Sequence, residues 1–145
     1  MSILKKTLIA SAALALPGLV SANAKLEKMM TDPSQWVQQS GDYAGHRYTE
    51  LDQINKSNVG SLKVAWTFST GVLRGHEGGP LVIGDVMYVH TAIPNIVYAL
   101  DLNDNQKILW KYNPVKGGKY PGGETMDRVI SVMCCDNVNR GVNYH

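Results

Sequence analysis

The hydrophobic pattern changes character along the chain. Thr7 to Val20, TLIASAALALPGLV, is an apolar run broken late by Pro17-Gly18. Lys5 and Lys6 precede it, and Ala22-Asn23-Ala24 follows as an A-x-A site. Positive, apolar, then small is the order of an export signal, which predicts residues 1–24 as a signal peptide cleaved after Ala24. The run is too short for a hydrocarbon core of about 30 Å, so no membrane span is expected. Residues 25–145 then form the mature segment.

Asp32-Pro33 reads as an N-cap with Pro at the first helical position, predicting a short helix over SQWVQQS that stops at Gly41. Gly41 to Asn58 is polar and turn-rich, and Ser57 to Ser61 suits one helical turn capped by Ser57. From Leu62 the period becomes two. Leu62, Val64, Trp66 and Phe68 alternate with Lys63, Ala65, Thr67 and Ser69, predicting a half-buried strand that ends by Gly71. Pro80–Ile83 and Val86–His90 read as two strands across Gly84-Asp85. Ile96–Leu100 and Lys107–Tyr112 are two more, joined through Asn103-Asp104-Asn105. Asn113 to Glu124 holds four Gly and two Pro, which is loop chemistry, and Arg128 to Cys135 returns to strand character. Five or six short antiparallel strands at about 10-residue spacing, with almost no helix, predict an all-β sandwich or propeller.

Composition narrows the function classes. Of the 145 residues 44% are hydrophobic and 18% charged, as in an ordinary globular domain. Residues 1–24 carry only Lys5 and Lys6 of the 14 Lys+Arg, so the remainder balances the 12 Asp+Glu. A neutral mature segment lacks the basic face of a nucleic-acid binder. Two cysteines do not make a disulfide scaffold. His46, His76, His90 and His145 are scattered without metal-ligand spacing and read as structural or surface residues. No Gly-rich phosphate loop runs from a strand into a helix, so no nucleotide site is expected.

Tyr98-Ala99-Leu100-Asp101 followed by Lys107-x-x-Trp110 describes a specific hairpin. Small Ala99 allows an indole to pack closely, Asp101 can bond the turn, and Trp110 is a large amphipathic plate. The spacing resembles the tryptophan-docking repeat of eight-bladed quinoprotein propellers, with Gln106 where that repeat usually has Gly. Leu51-x-x-Ile54 with Asn58-Val59-x-x-Leu62-x-x-Ala65-Trp66 and Gly71 resembles the opening segment of pyrroloquinoline quinone (PQQ) alcohol dehydrogenases. With Gly75-His76-Glu77-Gly78-Gly79-Pro80-Leu81-Val82 and Cys134-Cys135-Asp136-Asn137-Val138-Asn139-Arg140-Gly141, nearly the whole mature segment resembles the N-terminal part of the methanol dehydrogenase large subunit. Ile96 to Asn103 looks more like the lanthanide-dependent branch than the calcium branch. The loop from Val115 to Val132 is longer and richer in Gly than that family usually has. A propeller of 4–8 blades at about 40–50 residues each needs more chain than residues 25–145 supply, so the resemblance implies the first blades of a longer protein, inactive by themselves.

The resemblance also implies a site. A disulfide between the neighbours Cys134 and Cys135 would form a flat ring against PQQ. Adjacent Cα atoms are about 3.8 Å apart, below the roughly 4.4–6.8 Å usual for a disulfide, so such a bridge is strained. Two reduced, half-buried thiols are the alternative. Arg140 would face the quinone oxygens, where a guanidinium fork matches planar oxygen pairs, and Glu77 would hydrogen-bond the cofactor's periphery from a Gly-rich loop. A surface salt bridge and a solvated loop carboxylate are the plainer readings of those two residues. No catalytic or metal-binding residue is assigned within the chain. The family uses a lanthanide ion or Ca2+, held by ligands outside this segment, takes a primary alcohol as substrate and passes electrons to a c-type cytochrome. The export signal implies a periplasmic location, and at full length the protein is expected to be a homodimer. The rival readings are an ethanol-type PQQ alcohol dehydrogenase and a non-catalytic periplasmic propeller scaffold.

Overall fold

A computed structural model describes residues 23–133 and 138–145. The apolar run of the export signal and the Cys134-Cys135 pair lie outside the described residues. The chain runs α1 (Ala24–Met30), a 3₁₀ turn (Val59–Ser61), β1 (Leu81–Ile83), β2 (Val86–His90), β3 (Val97–Asp101), β4 (Lys107–Tyr112) and α2 (Met126–Ser131). The strands form one antiparallel sheet in the order β1-β2-β3-β4, the meander expected of a propeller blade.

Local chemistry explains the hairpins. Gly84 opens the β1–β2 turn at φ +56°, where a glycine meets no Cβ penalty. In the β3–β4 turn Asn105 and Gln106 both adopt positive φ, and Lys107 N donates to Asp104 O at 2.9 Å. That geometry favours glycine at the Gln106 position. Asp101 Oδ1 accepts from Asn103 N at 2.9 Å, as the hairpin motif leads one to expect. Ala99 pairs with Tyr88 on one side and Trp110 on the other, so all three share a face. Because Ala99 is small, the two rings meet above it with centroids 5.9 Å apart. Leu109 is the extra residue of a bulge, since Ala99 faces Trp110 while Leu100 faces Ile108.

The opposite face carries the core. Ile96, Tyr98 and Leu100 are buried, with Phe68, Val72, Met87 and Val89 packed against them. Phe68 meets Tyr98 edge to face at 5.2 Å, and Tyr98 Oη donates to Thr70 O at 2.9 Å. The segment around residues 68–72 is thereby tied across the sheet.

Three expected elements differ. Residues 34–40 are not a helix. Asp32 Oδ1 does accept from Ser34 N at 3.0 Å, as a cap would. Trp36 then pairs with Val82 through two backbone bonds of 2.9 and 3.0 Å and covers the edge of β1. The helix lies earlier, over α1, where Asn23 Oδ1 caps Leu26 N at 3.1 Å and Leu26 is buried. Leu62–Phe68 alternates but joins no ladder among the described residues. Residues 126–131 are helical instead of extended, because Thr125 Oγ1 caps Arg128 N at 3.2 Å and Asp127 stands in the first turn. The turn at Val59–Ser61 is capped from Asn58 without a side-chain bond, not from Ser57.

Candidate functional site

Glu77 lies in the loop that enters β1. His76 shapes that loop: its Nδ1 donates to Arg74 O at 2.7 Å, and its Nε2 lies 3.1 Å from Thr70 Oγ1. Arg140 lies in the returning segment after residue 137. The two loops meet, with Arg140 Nε 3.8 Å from Glu77 Oε2. Their side chains are 85% and 55% exposed. An exposed pair of this kind contributes about 0–1 kcal/mol and does not itself hold two loops together.

Backbone contacts beneath the pair do so. Gln39 Nε2 donates to Gly79 O at 3.0 Å and reaches Val142 O at 3.5 Å, joining the Glu77 loop to the Arg140 segment. A Cβ on Gly141 would come within 2.6 Å of Gln39 Cδ, so a larger residue after Arg140 would push the Gln39 side chain out of this arrangement. His90, at the end of β2, is 4% exposed and its Nε2 lies 3.0 Å from Asn139 O. A carbonyl only accepts, so Nε2 carries the proton of that bond. Its Nδ1 has no partner among the described residues. Asn139 Oδ1 accepts from Gly141 N at 3.0 Å, closing the turn around Arg140.

Trp36, Gln39, Arg47, Glu77, Gly79 and Arg140 line a cleft of about 390 Å³. Two guanidinium groups, one carboxylate and one indole suit a flat, anionic, oxygen-rich ligand. The donor set therefore fits PQQ, which carries three carboxylates and an ortho-quinone. Glu77 and Arg140, expected from separate motifs, stand together here, whereas Cys134 and Cys135 lie outside the described residues. Arg47, Gln39 and the His90 bond had no counterpart in the sequence reading. His90 and Gln39 act on backbone carbonyls distant in sequence, which leaves no residue-type spacing to read. No group of three or more His, Cys, Asp or Glu among the described residues could hold a metal ion. No helix of the described residues is long and apolar enough to cross a membrane.

Comparison with known proteins gives this geometry a family. Residues 36–145 match the model for the PQQ glucose/ethanol/alcohol dehydrogenase β-propeller domain. The lanthanide-dependent methanol dehydrogenase of Methylorubrum extorquens is 56% identical over 135 residues, covering 93% of this chain and 21% of that protein. Subunit 1 of the methanol dehydrogenase [cytochrome c] of Paracoccus denitrificans is 48% identical over 124 residues, covering 86% of this chain and 18% of that protein. The solved structure of a europium-containing methanol dehydrogenase superposes with a TM-score of 0.76 at 52% identity, over 85% of this chain and 20% of that one. The chain spans about a fifth of the length of the relatives it matches. With its four-stranded blade and its match over residues 36–145, the chain belongs to the PQQ-dependent alcohol dehydrogenase β-propeller family.

Proposed function

We propose that this chain is the part of a PQQ-dependent methanol dehydrogenase that supplies one wall of the cofactor site. The whole protein would oxidise a primary alcohol to the aldehyde and pass electrons to a c-type cytochrome. The observation that carries this reading is the meeting of Glu77 and Arg140 at one cleft. Relatives named as methanol dehydrogenases favour methanol over larger alcohols, and the lanthanide-dependent relative and the europium structure favour a lanthanide over Ca2+.

When bound, PQQ supplies a quinone that accepts hydride from the alcohol, aided by a metal ion as Lewis acid. The residues of this chain bind and orient. Arg140 offers a planar cationic fork to adjacent oxygens, so it also steadies negative charge as it develops there. Glu77 beside it accepts hydrogen bonds at the cofactor's edge.

The test is PQQ binding by the full-length protein. Arg140→Ala removes a charge-assisted contact of about 1.5–3 kcal/mol and should weaken PQQ binding roughly 10- to 100-fold. Arg140→Lys should recover only part of this, because a point charge does not reproduce the fork. Native affinity in Arg140→Ala would overturn the assignment.

Export to the periplasm and a Cys134–Cys135 bridge belong to the same reading, supported by the N-terminal pattern and by the resemblance of the Cys-Cys-Asp-Asn segment. Mass spectrometry of the protein from the periplasm should find Lys25 at the N-terminus. It should also find the Cys134-Cys135 peptide lighter by two hydrogens. A retained Met1 or two alkylatable thiols would sink the corresponding part. A homodimer at full length rests on the resemblance, and a monomeric mass by light scattering would refute it.

A further inference from the structure

We propose that His90 is a positioning residue for the cofactor site: from the end of the central strand β2 it sets the separation of the Glu77 and Arg140 loops by donating to the Asn139 carbonyl and by filling the space that Gly78 leaves. The inference rests on the reading of Glu77 and Arg140 as PQQ contacts.

Three observations carry it. Exposure leaves the Arg140–Glu77 pair too weak to fix its own geometry, so its spacing rests on the partners beneath it, Gln39 and one buried group. His90 is that buried group, paired with Val97 in the sheet and bonded through Nε2 to Asn139 O at 3.0 Å. The ring also stands directly against the Glu77 loop. A Cβ built on Gly78 would fall 2.0 Å from His90 Nε2 and 2.8 Å from Arg140 O. Gly78 follows Glu77 in the chain and Asn139 precedes Arg140. One imidazole therefore touches the backbone beside both site residues. A buried imidazole is costly unless it is bonded, and its bond here goes to the segment that must be placed. β2 is an inner strand of the blade, and at His90 it is held by its pairing with Val97 of β3.

The experiment titrates PQQ into the full-length apo-protein at fixed excess La3+, followed by tryptophan fluorescence, so that the readout is a dissociation constant and not turnover. His90→Met keeps the bulk and loses the donor. It should raise the PQQ dissociation constant about 5- to 30-fold, as expected for losing a bond that leaves a carbonyl unpaired. His90→Gln places an amide N–H near the position of Nε2 and should stay within about threefold of the native value. His90→Asn keeps an amide that is too short to reach Asn139 and should behave like Met. If His90→Met does not fold, the Gln and Asn variants carry the comparison, and equal PQQ affinity in those two overturns the proposal. Arg140→Ala separates the two levels. If it weakens PQQ binding while His90→Met does not, His90 has no positioning role and the site reading stands. If neither variant changes the affinity, the site reading fails and this inference fails with it.

Discussion

The sheet of residues 81–112 and the arm of residues 42–73 are built from similar residue types, yet they hold them differently. In the sheet, Leu81, Tyr98, Ala99 and Leu100 are buried, and each strand pairs with the next through a short turn. In the arm, Leu51, Ile54, Val59, Leu62 and Val64 are exposed, and Val64 is 80% exposed in spite of its place in an alternating run. Only Phe68 and Val72, at the arm's end, reach the core. Alternation states which face of a strand would be apolar, and a neighbouring edge decides whether a strand exists. β1, β2 and β3 find that edge two to six residues along the chain, whereas the arm finds none among the described residues. The site straddles this difference, with Glu77 and Arg140 on exposed loops and His90 in the sheet.

The largest effect expected from this contrast is on stability. Leu100→Ala empties a fully buried position and should cost the 145-residue chain about 2–5 kcal/mol. Val64→Ala, of the same polarity but in the arm, should stay within about 0.5 kcal/mol. Urea denaturation of the two variants measures both. Equal losses would mean that the arm is packed as tightly as the sheet.

A smaller effect tests the turn that closes the blade's outer hairpin. Gln106 sits at φ +56°, in the left-handed region that costs a side-chain-bearing residue about 1–2 kcal/mol. Gln106→Gly relieves this while adding roughly 0.5–1 kcal/mol of chain entropy to be lost on folding. The net expectation is a gain of about 0–1.5 kcal/mol, read as a higher denaturation midpoint. A loss would show that the Gln106 side chain supports the turn in some other way.

The legible part of the fold was the part governed by neighbours in sequence. Gly84-Asp85, Asp101 with Asn103, and the small Ala99 between two aromatics act within one hairpin, so their residue types carry the signal. The sequence reading failed where a distant partner decided. Trp36 leaves a helix-like start to pair with Val82, and Leu62–Phe68 lacks the edge its alternation suits. At Met126–Ser131 a Thr125 cap outweighed the strand character of Val129 and Ile130. At the cleft, Glu77 and Arg140 were singled out through family motifs, and the structure brings their side chains together. The His90 and Gln39 contacts were not, because a backbone carbonyl can stand on any residue.

The smallest expected effect concerns the turn that starts the arm. Asp42 Oδ1 accepts from His46 N at 3.1 Å, its other oxygen bonds His46 Nδ1, and Gly45 N donates to Asp42 O at 3.1 Å. The backbone N–H of His46 is the chief cause that holds the Asp42 carboxyl below its usual range, with the His46 side chain next. A carboxylate whose folded-state value is lowered stabilises the fold above its unfolded value of about 3.9, and that contribution disappears as pH falls through the lower, folded value. The Asp42 contribution to the turn should therefore be constant above about pH 4 and be lost only below that. The turn also sets the course of the chain into Arg47, whose N–H bonds Ser40 O at 2.9 Å at the rim of the cleft. An NMR titration of the His46 amide should show a midpoint below about 3.9, and Asp42→Asn should abolish that step while leaving the sheet amides in place. A midpoint at the ordinary aspartate value would mean that this turn is open in solution. The arm would then differ from the sheet in order from its first residues, and not only where its alternating run lacks a partner.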